Sequence, residues 1–232
     1  MTVLDARDLA KSYQGGDGTP IHILTGVDLS VDRGEMVAIV GESGAGKSTL
    51  LHLLGALDRP SRGYVVLSGE PAHGRTDEEL AALRNTRVGF VFQFHHLLRE
   101  FSALENVMMP MRIAKWELAR SRDRAEELLS RVGLTGRMHH RPGELSGGEQ
   151  QRTAVARALA IDPAVLLADE PSGNLDHANS ERLHVILGEL ARDLEIGMVV
   201  VTHNRSLAAR ANRILLLEAG RLREITSQEV GA

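Results

Sequence analysis

The 232-residue chain contains no cysteine, which excludes disulfides, zinc-thiolate sites and thiol catalysis. Aromatic residues make up only 3% of it, leaving few side chains on which bases could stack. A formal net charge of -4 opposes broad binding to a phosphate backbone, which needs a clustered excess of Lys and Arg, so no nucleic-acid partner is expected. Long apolar runs are missing as well. Met36 to Val40 and Met198 to Val201 are the longest, far short of the roughly 20 residues that cross a bilayer. Residues Met1 to Tyr13 interleave Asp5, Arg7, Asp8 and Lys11 with apolar positions and lack the h-region of a secretory signal. In any membrane process, another chain must do the crossing. What is present, 43% hydrophobic and 25% charged residues, suits one sizeable α/β domain with a subdomain.

Residues 3 to 31 alternate apolar and polar positions around turn signals at Gly15, Gly16, Asp17, Gly18 and Pro20, which predicts an antiparallel β region at one edge. Met36 to Val40 reads as a strand buried on both faces, followed by glycines and a helix carrying Leu50, Leu51, Leu53, Leu54 and Leu57. Val88 to Phe92 reads as a further strand. From 99 to 160 strand character gives way to helical periodicity, notably over Trp116 to Val132 and Glu149 to Ala160. Val165 to Ala168, Met198 to Val201 and Ile214 to Leu217 are buried-strand candidates, separated by helical stretches at Ala178 to Leu194 and Ser206 to Ala211. The expected fold is α/β: a P-loop core with a largely parallel sheet, an N-terminal antiparallel β subdomain and an inserted α-helical subdomain. The core would comprise residues 1–92 and 161–232, and the insertion about 93–160.

Gly41-Glu42-Ser43-Gly44-Ala45-Gly46-Lys47-Ser48-Thr49 fits G-x-x-x-x-G-K-[ST] between a buried strand and a leucine-rich helix, the context that the phosphate-binding chemistry requires. Glycines let backbone N–H groups wrap an anion at the positive end of a helix. Lys47 would reach the outer phosphates, and the Ser48 hydroxyl stands at the Mg2+ position. Val165 to Ala168 then leads into Asp169-Glu170. Neighbouring strand residues face opposite sides, which suits a metal residue, Asp169, beside a base, Glu170. The bland alternatives are a glycine-rich turn and a capping pair before Pro171.

A P-loop alone does not separate kinase, GTPase, helicase and transporter ATPase. Leu145-Ser146-Gly147-Gly148-Glu149-Gln150 opens a helical pattern with a second anion-ready start, or else with a plain Ser N-cap. This segment resembles the signature motif of the ABC ATPases, beside Walker A at 41–48 and Walker B at 165–170. The resemblance spans nearly the whole chain. It includes Gln93, the D-loop-like Ser172-Gly173-Asn174-Leu175-Asp176, His203 after Met198 to Thr202, and Tyr13 at the place of the aromatic that stacks on adenine. It implies an ATP- and Mg2+-dependent hydrolase acting as a head-to-tail homodimer. Walker A of one subunit and Ser146, Gly147, Gly148 and Glu149 of the other would then sandwich ATP. In family terms Glu170 is the base, His203 contacts the γ-phosphate, Gln93 senses Mg2+ and water, and Asp176 communicates across the dimer.

Phe90 to Leu98, then Phe101 to Val107, and His139 to Pro142 are similar to the lipoprotein-releasing branch of that family in Gram-negative bacteria. This implies a peripheral subunit on the cytoplasmic face of the inner membrane. Integral membrane subunits would dock near Gln93 to Leu98, with Phe94 and Leu97 as exposed apolar contacts. The adjacent His95 and His96 are not expected to chelate a metal. Related cell-division and efflux ATPases share the core motifs; ending at Ala232 without membrane spans disfavours a fused efflux pump. Asn204 departs from the more usual Asp. The rivals from other classes are a soluble ABC ATPase working on DNA or ribosomes, a non-hydrolysing scaffold and a simple P-loop kinase.

Overall fold

Alternation at the start of the chain produces β1 (Thr2–Gln14) and β2 (Pro20–Asp32), paired antiparallel, with Leu4, Ala6 and Leu9 of one strand and Leu24, Val27, Leu29 and Val31 of the other turned inward. The computed structural model describes residues 1–16 and 18–230; the turn signal at Asp17 lies outside them. β3 (Met36–Val40) is buried at every position and runs through a glycine-rich loop into α1 (Lys47–Leu54). There follow β4 (Arg62–Leu67), β5 (Glu70–Pro71), α2 (Asp77–Arg87) and β6 (Val88–Val91). The sequence pattern assigns no element to this stretch before β6. α2 buries only Leu80 and Leu83, too narrow a stripe to read as a period. Its capping box, in which Thr76 and Glu79 bond each other's backbone N–H, was a legible start signal.

The inserted helices are α3 (Ala103–Ile113), α4 (Leu118–Arg131) and α5 (Gly147–Ala158). They close around Leu104, Val107, Met111, Ala125, Leu128, Leu129, Val155 and Ala156. The chain then returns through β7 (Val165–Asp169), α6 (His177–Asp193), β8 (Gly197–Val201), α7 (Arg205–Ala208), β9 (Arg213–Glu218) and β10 (Arg221–Ile225).

Two sheets result. One, in the order β2-β1-β4-β5, is antiparallel; the other, β10-β9-β3-β8-β7-β6, is parallel except for its β10 edge. Successive residues of the parallel strands go to opposite layers. Val37, Ile39, Val165, Leu167, Val199 and Val201 pack with α1 and the antiparallel sheet, whereas Met36, Leu166, Ala168, Met198 and Val200 pack with α5, α6 and the inserted helices. Covered on both faces, these strands read as continuous apolar runs and not as alternating ones. Burial of that many Val, Leu and Ile side chains, each contributing roughly 1.5–3 kcal/mol, fixes the strand order that carries the site.

Candidate active site

The parallel strands end in step. Val91, Ala168, Val200 and Ala38 form one row, and Asp169, Val201 and Ile39 the next. The segments leaving β3, β6, β7 and β8 therefore emerge together at the carboxyl edge of the sheet, where open parallel sheets bind ligands.

Past β3, Gly41 and Gly46 have φ of 157° and 97°. A Cβ would lie 2.6 Å from the Leu217 carbonyl oxygen at the first and 2.6 Å from Ile23 Cγ2 at the second, so both positions require glycine. α1 begins without a side-chain cap and without an acidic residue in its first turn. Its leading N–H groups and the positive end of its dipole are thus left for an external anion. Glu42, Ser43, Gly44 and Ser48 are exposed around this loop, and Ala45 and Thr49 are half-buried. Lys47 Nζ donates to the carbonyls of Gly41 and Glu42, each at 2.8 Å, which holds the ammonium across the mouth of the loop.

Asp169 closes β7, half-buried, and its carboxylate makes no side-chain bond or ion pair among the described residues. Together with the exposed Ser48 hydroxyl it supplies hard oxygen donors of the kind Mg2+ takes. Glu170 reaches its place differently from the alternation expected for a strand. The strand stops at Asp169, and Glu170 adopts φ 44°, a left-handed conformation costing roughly 1–2 kcal/mol for a residue with a Cβ. Its N–H donates to Val201 O at 2.9 Å. The carboxylate is fastened by the His203 backbone N–H at 3.1 Å, by Thr202 Oγ1 at 3.3 Å and by His203 Nδ1 at 2.8 Å. A carboxylate offers no proton, so the last contact puts the imidazole hydrogen on Nδ1 and leaves Nε2 outermost. The Glu170 side chain is 17% exposed and that of His203 74%. They flank a cleft of about 510 Å³ shared with Ser172, His177 and Glu181.

Gln93 lies two residues beyond β6. Its side-chain amide Nε2 donates to Asn174 Oδ1 at 3.1 Å and its backbone carbonyl accepts from Asn174 Nδ2 at 3.2 Å; the structure therefore ties it to the D-loop-like segment. Tyr13 is 43% exposed, with its hydroxyl donating to Asp58 at 2.9 Å and Lys11 Nζ 4.9 Å from its ring centroid. Burial and then the Asp58 bond raise its pKa.

At the signature segment Ser146 and Gly147 are exposed, Gly148 is buried and α5 starts with a complete capping box: Glu149 N–H to Ser146 Oγ at 3.3 Å and Ser146 N–H to Glu149 Oε2 at 2.8 Å. The other Glu149 oxygen takes Arg137 Nε at 3.0 Å. The backbone bond from Ser146 leads the causes that hold Glu149 below the usual carboxylate range. Asp176 likewise caps α6, accepting from the N–H and side-chain amide of Asn179 at 2.9 and 2.7 Å. These bonds hold its pKa low, the backbone one foremost. Asn179 sits so close to Gly148 that a Cβ there would be 2.5 Å from Asn179 Oδ1.

The 92–98 segment hangs on α5. Gln151 donates to Phe92 O at 3.1 Å, and Arg157 donates to His95 O at 2.9 Å and His96 O at 2.7 Å. Phe94 is 66% and Leu98 41% exposed, whereas Leu97 is half-buried, so Leu98 replaces Leu97 as the apolar neighbour of Phe94. Sequence reasoning also missed Thr202, Gln151 and Arg157, and named Asn174 only as part of the D-loop-like segment. Their signal is positional only, since each is a polar residue at a strand end, in a turn or on the apolar side of a helix.

A glycine-rich loop opening a helix, with a carboxylate pair at the end of the strand next but one in the sheet, marks a P-loop nucleotide-binding protein. The family model for the ABC transporter matches residues 24–173. The lipoprotein-releasing system ATP-binding protein LolD of Geobacter metallireducens is 51% identical over 221 residues, covering 95% of this chain and 98% of that protein. Its counterpart in Bordetella pertussis is 53% identical over 219 residues, with 94% of each chain covered. A dimeric, post-hydrolysis structure of the ATP-binding cassette MJ0796 bound to ADP and Pi superposes with a TM-score of 0.87 at 37% identity, over 97% of this chain and 98% of that one. The chain belongs to the ABC transporter family, as an ATP-binding and ATP-hydrolysing cassette.

Proposed function

We propose that this protein is the ATPase subunit of a complex that releases lipoproteins from the inner membrane. It would work peripherally on the cytoplasmic face as a head-to-tail homodimer. The reading rests most on the joined Glu170–His203 pair, set at the same sheet edge as an uncapped phosphate loop, in a chain about half identical over its length to lipoprotein-releasing ATP-binding proteins. Residues 1–92 and 161–232 would act as the nucleotide-binding core and about 93–160 as the helical subdomain.

In the working dimer, the loop N–H groups from Gly41 to Thr49 and the Lys47 ammonium bind the phosphates, and Tyr13 covers the base. Ser48 and Asp169, joined by Gln93 once its amide leaves Asn174, would hold Mg2+, which supplies charge neutralisation at the β- and γ-phosphates. Glu170 accepts a proton from the attacking water, while His203 orients Glu170 through Nδ1–H and, with both ring nitrogens protonated, would donate Nε2–H to the γ-phosphate. Ser146, Gly147 and Gly148 of the second subunit approach from the other side, with Glu149 holding Ser146 in place and Asp176 at the seam. Contacts to the γ-phosphate exist before hydrolysis and vanish after it, so ATP alternately closes and releases the pair.

The 93–98 segment, with Phe94 and Leu98 outward, would receive a helix from each membrane subunit. Capture of tagged Glu170→Gln protein with ATP from native membranes should bring down the lipoprotein-releasing membrane subunits. Recovery of a cell-division partner, or of soluble proteins alone, would overturn this branch of the reading.

A further inference from the structure

One buried titratable side chain has no part in the chemistry above. His184, on α6, is completely buried, and its Nε2 lies 2.9 Å from Ser172 Oγ, two residues beyond Glu170. Its Nδ1 lies 3.4 Å from Glu181 Oε1, one turn back on the same helix, near enough to feel the charge but without a hydrogen bond. Glu181 in turn accepts from Ser206 Oγ at 2.5 Å and from Arg210 Nη2 at 3.0 Å. Ser206 and Arg210 belong to α7 and the turn after it, just downstream of His203. The segment leaving Glu170 and the segment leaving His203 are therefore joined twice, directly through the pair itself and indirectly across α6, which holds Ser172 through His184 and holds Ser206 and Arg210 through Glu181.

The imidazole suits this position chemically. Burial leads the causes that lower its pKa, against an opposing pull from Glu181, and so favours the neutral ring. A neutral ring has one donor and one acceptor edge. Nε2 and the Ser172 hydroxyl share one hydrogen bond, the hydroxyl donating when the ring hydrogen is on Nδ1 and the ring donating when it is on Nε2. A side chain of similar size without these edges would fill the space but leave Ser172 without a partner.

We propose that His184 is a positioning residue for ATP hydrolysis, holding the turn after Glu170 in register with the helix after His203 so that the pair meets the attacking water in one fixed geometry. The proposal rests on the reading of Glu170 and His203 as the hydrolytic pair. Small misplacements of catalytic groups can cost up to about 10²-fold in rate, and His184 acts at one remove from the chemistry. His184→Leu should therefore lower kcat ~10-fold while ATP affinity and KM stay within about twofold, because the phosphate loop is untouched. His184→Gln, with a donor and an acceptor of its own, should recover kcat to within about threefold of the parent. Ser172→Ala should reproduce the loss, and the double variant His184→Leu/Ser172→Ala should be no slower than either single one, as for two members of one linkage.

Glu170→Gln is measured alongside. The expected result is a kcat loss that Gln rescues and that does not add to the Ser172 loss. Full kcat in His184→Leu, with Glu170→Gln inactive, would overturn the positioning role alone. A loss that follows the melting temperature, resists rescue by Gln or adds to the Ser172 loss would do the same. Normal turnover in Glu170→Gln would overturn the hydrolytic pair, and the positioning role with it.

Discussion

Helices α1 and α5 both open on glycine and serine or lysine, and both would face the same ATP molecule, but their first turns are finished in opposite ways. α1 has no side-chain cap and no acidic residue at its start, while a lysine spans the loop before it. α5 is closed by its own capping box and carries a carboxylate there. An uncapped helix start backed by a cation binds phosphate without help. A start already satisfied by Ser146 and Glu149 has little to offer a free anion, and becomes useful only when a loaded loop is brought against its exposed Ser146 and Gly147. In the proposed dimer, the asymmetry would separate binding, a property of one chain, from hydrolysis, a property of two.

The sharpest way to break this contrast is to exchange the roles by mutation. Lys47→Ala should lower phosphate release by ~10²–10³-fold, the range for removing one preorganised electrostatic group, with nucleotide affinity falling too. Ser146→Ala should leave the affinity of the monomer for ATP within about twofold. Weakened monomer binding in Ser146→Ala, followed by titration of a fluorescent ATP analogue, would mean that α5 contributes to the first binding step after all.

Gly148→Ala probes the meeting of α5 with α6. The added Cβ would lie 2.5 Å from Asn179 Oδ1 and 3.1 Å from Asn179 Cβ, so Asn179 must leave Asp176 or α5 must shift. A destabilisation of about 1–3 kcal/mol in urea unfolding is expected for such overpacking. Relief by Asn179→Ala in the double variant would locate the strain.

The smallest effect is electrostatic. Glu79, Glu105 and Glu149 all have lowered pKa values, each first because of the backbone N–H it accepts from its N-cap residue. A carboxylate whose folded pKa lies below its unfolded value of about 4.3 stabilises the fold above that value, and the contribution is lost as pH falls through the folded pKa. Stability should thus be insensitive to these groups near neutrality and decline below about pH 4.3. Glu149→Gln should remove part of that acid-side decline, as followed by urea midpoints across pH.

The contrast between the two helices also marks how far the sequence could be read. The loop at 41–49 was legible because glycine, lysine and serine at fixed spacing between an apolar run and a leucine period have few other physical uses. The parallel core was legible because strands buried on both faces cannot help being apolar. The placement of Glu170 was only half legible: its identity and neighbour were plain, but the three donors that hold its carboxylate come from Thr202 and His203, just past the end of β8 and 32 and 33 residues away in sequence. Leu97 and Leu98 illustrate the same limit, since on an irregular segment no period tells which of two adjacent leucines faces out. α2 was missed because a helix burying two leucines leaves almost no stripe, although its capping box stood in the sequence.

The most direct test of the account is the mass in solution of Glu170→Gln with saturating ATP and Mg2+, measured beside the same protein carrying Ser146→Arg. A dimer with ATP, a monomer with ADP, and a monomer that still binds ATP when Ser146→Arg is added are the expected results. A Glu170→Gln monomer at saturating ATP, or a dimer indifferent to Ser146→Arg, would contradict the assignment of α1 and α5 to opposite sides of one shared nucleotide.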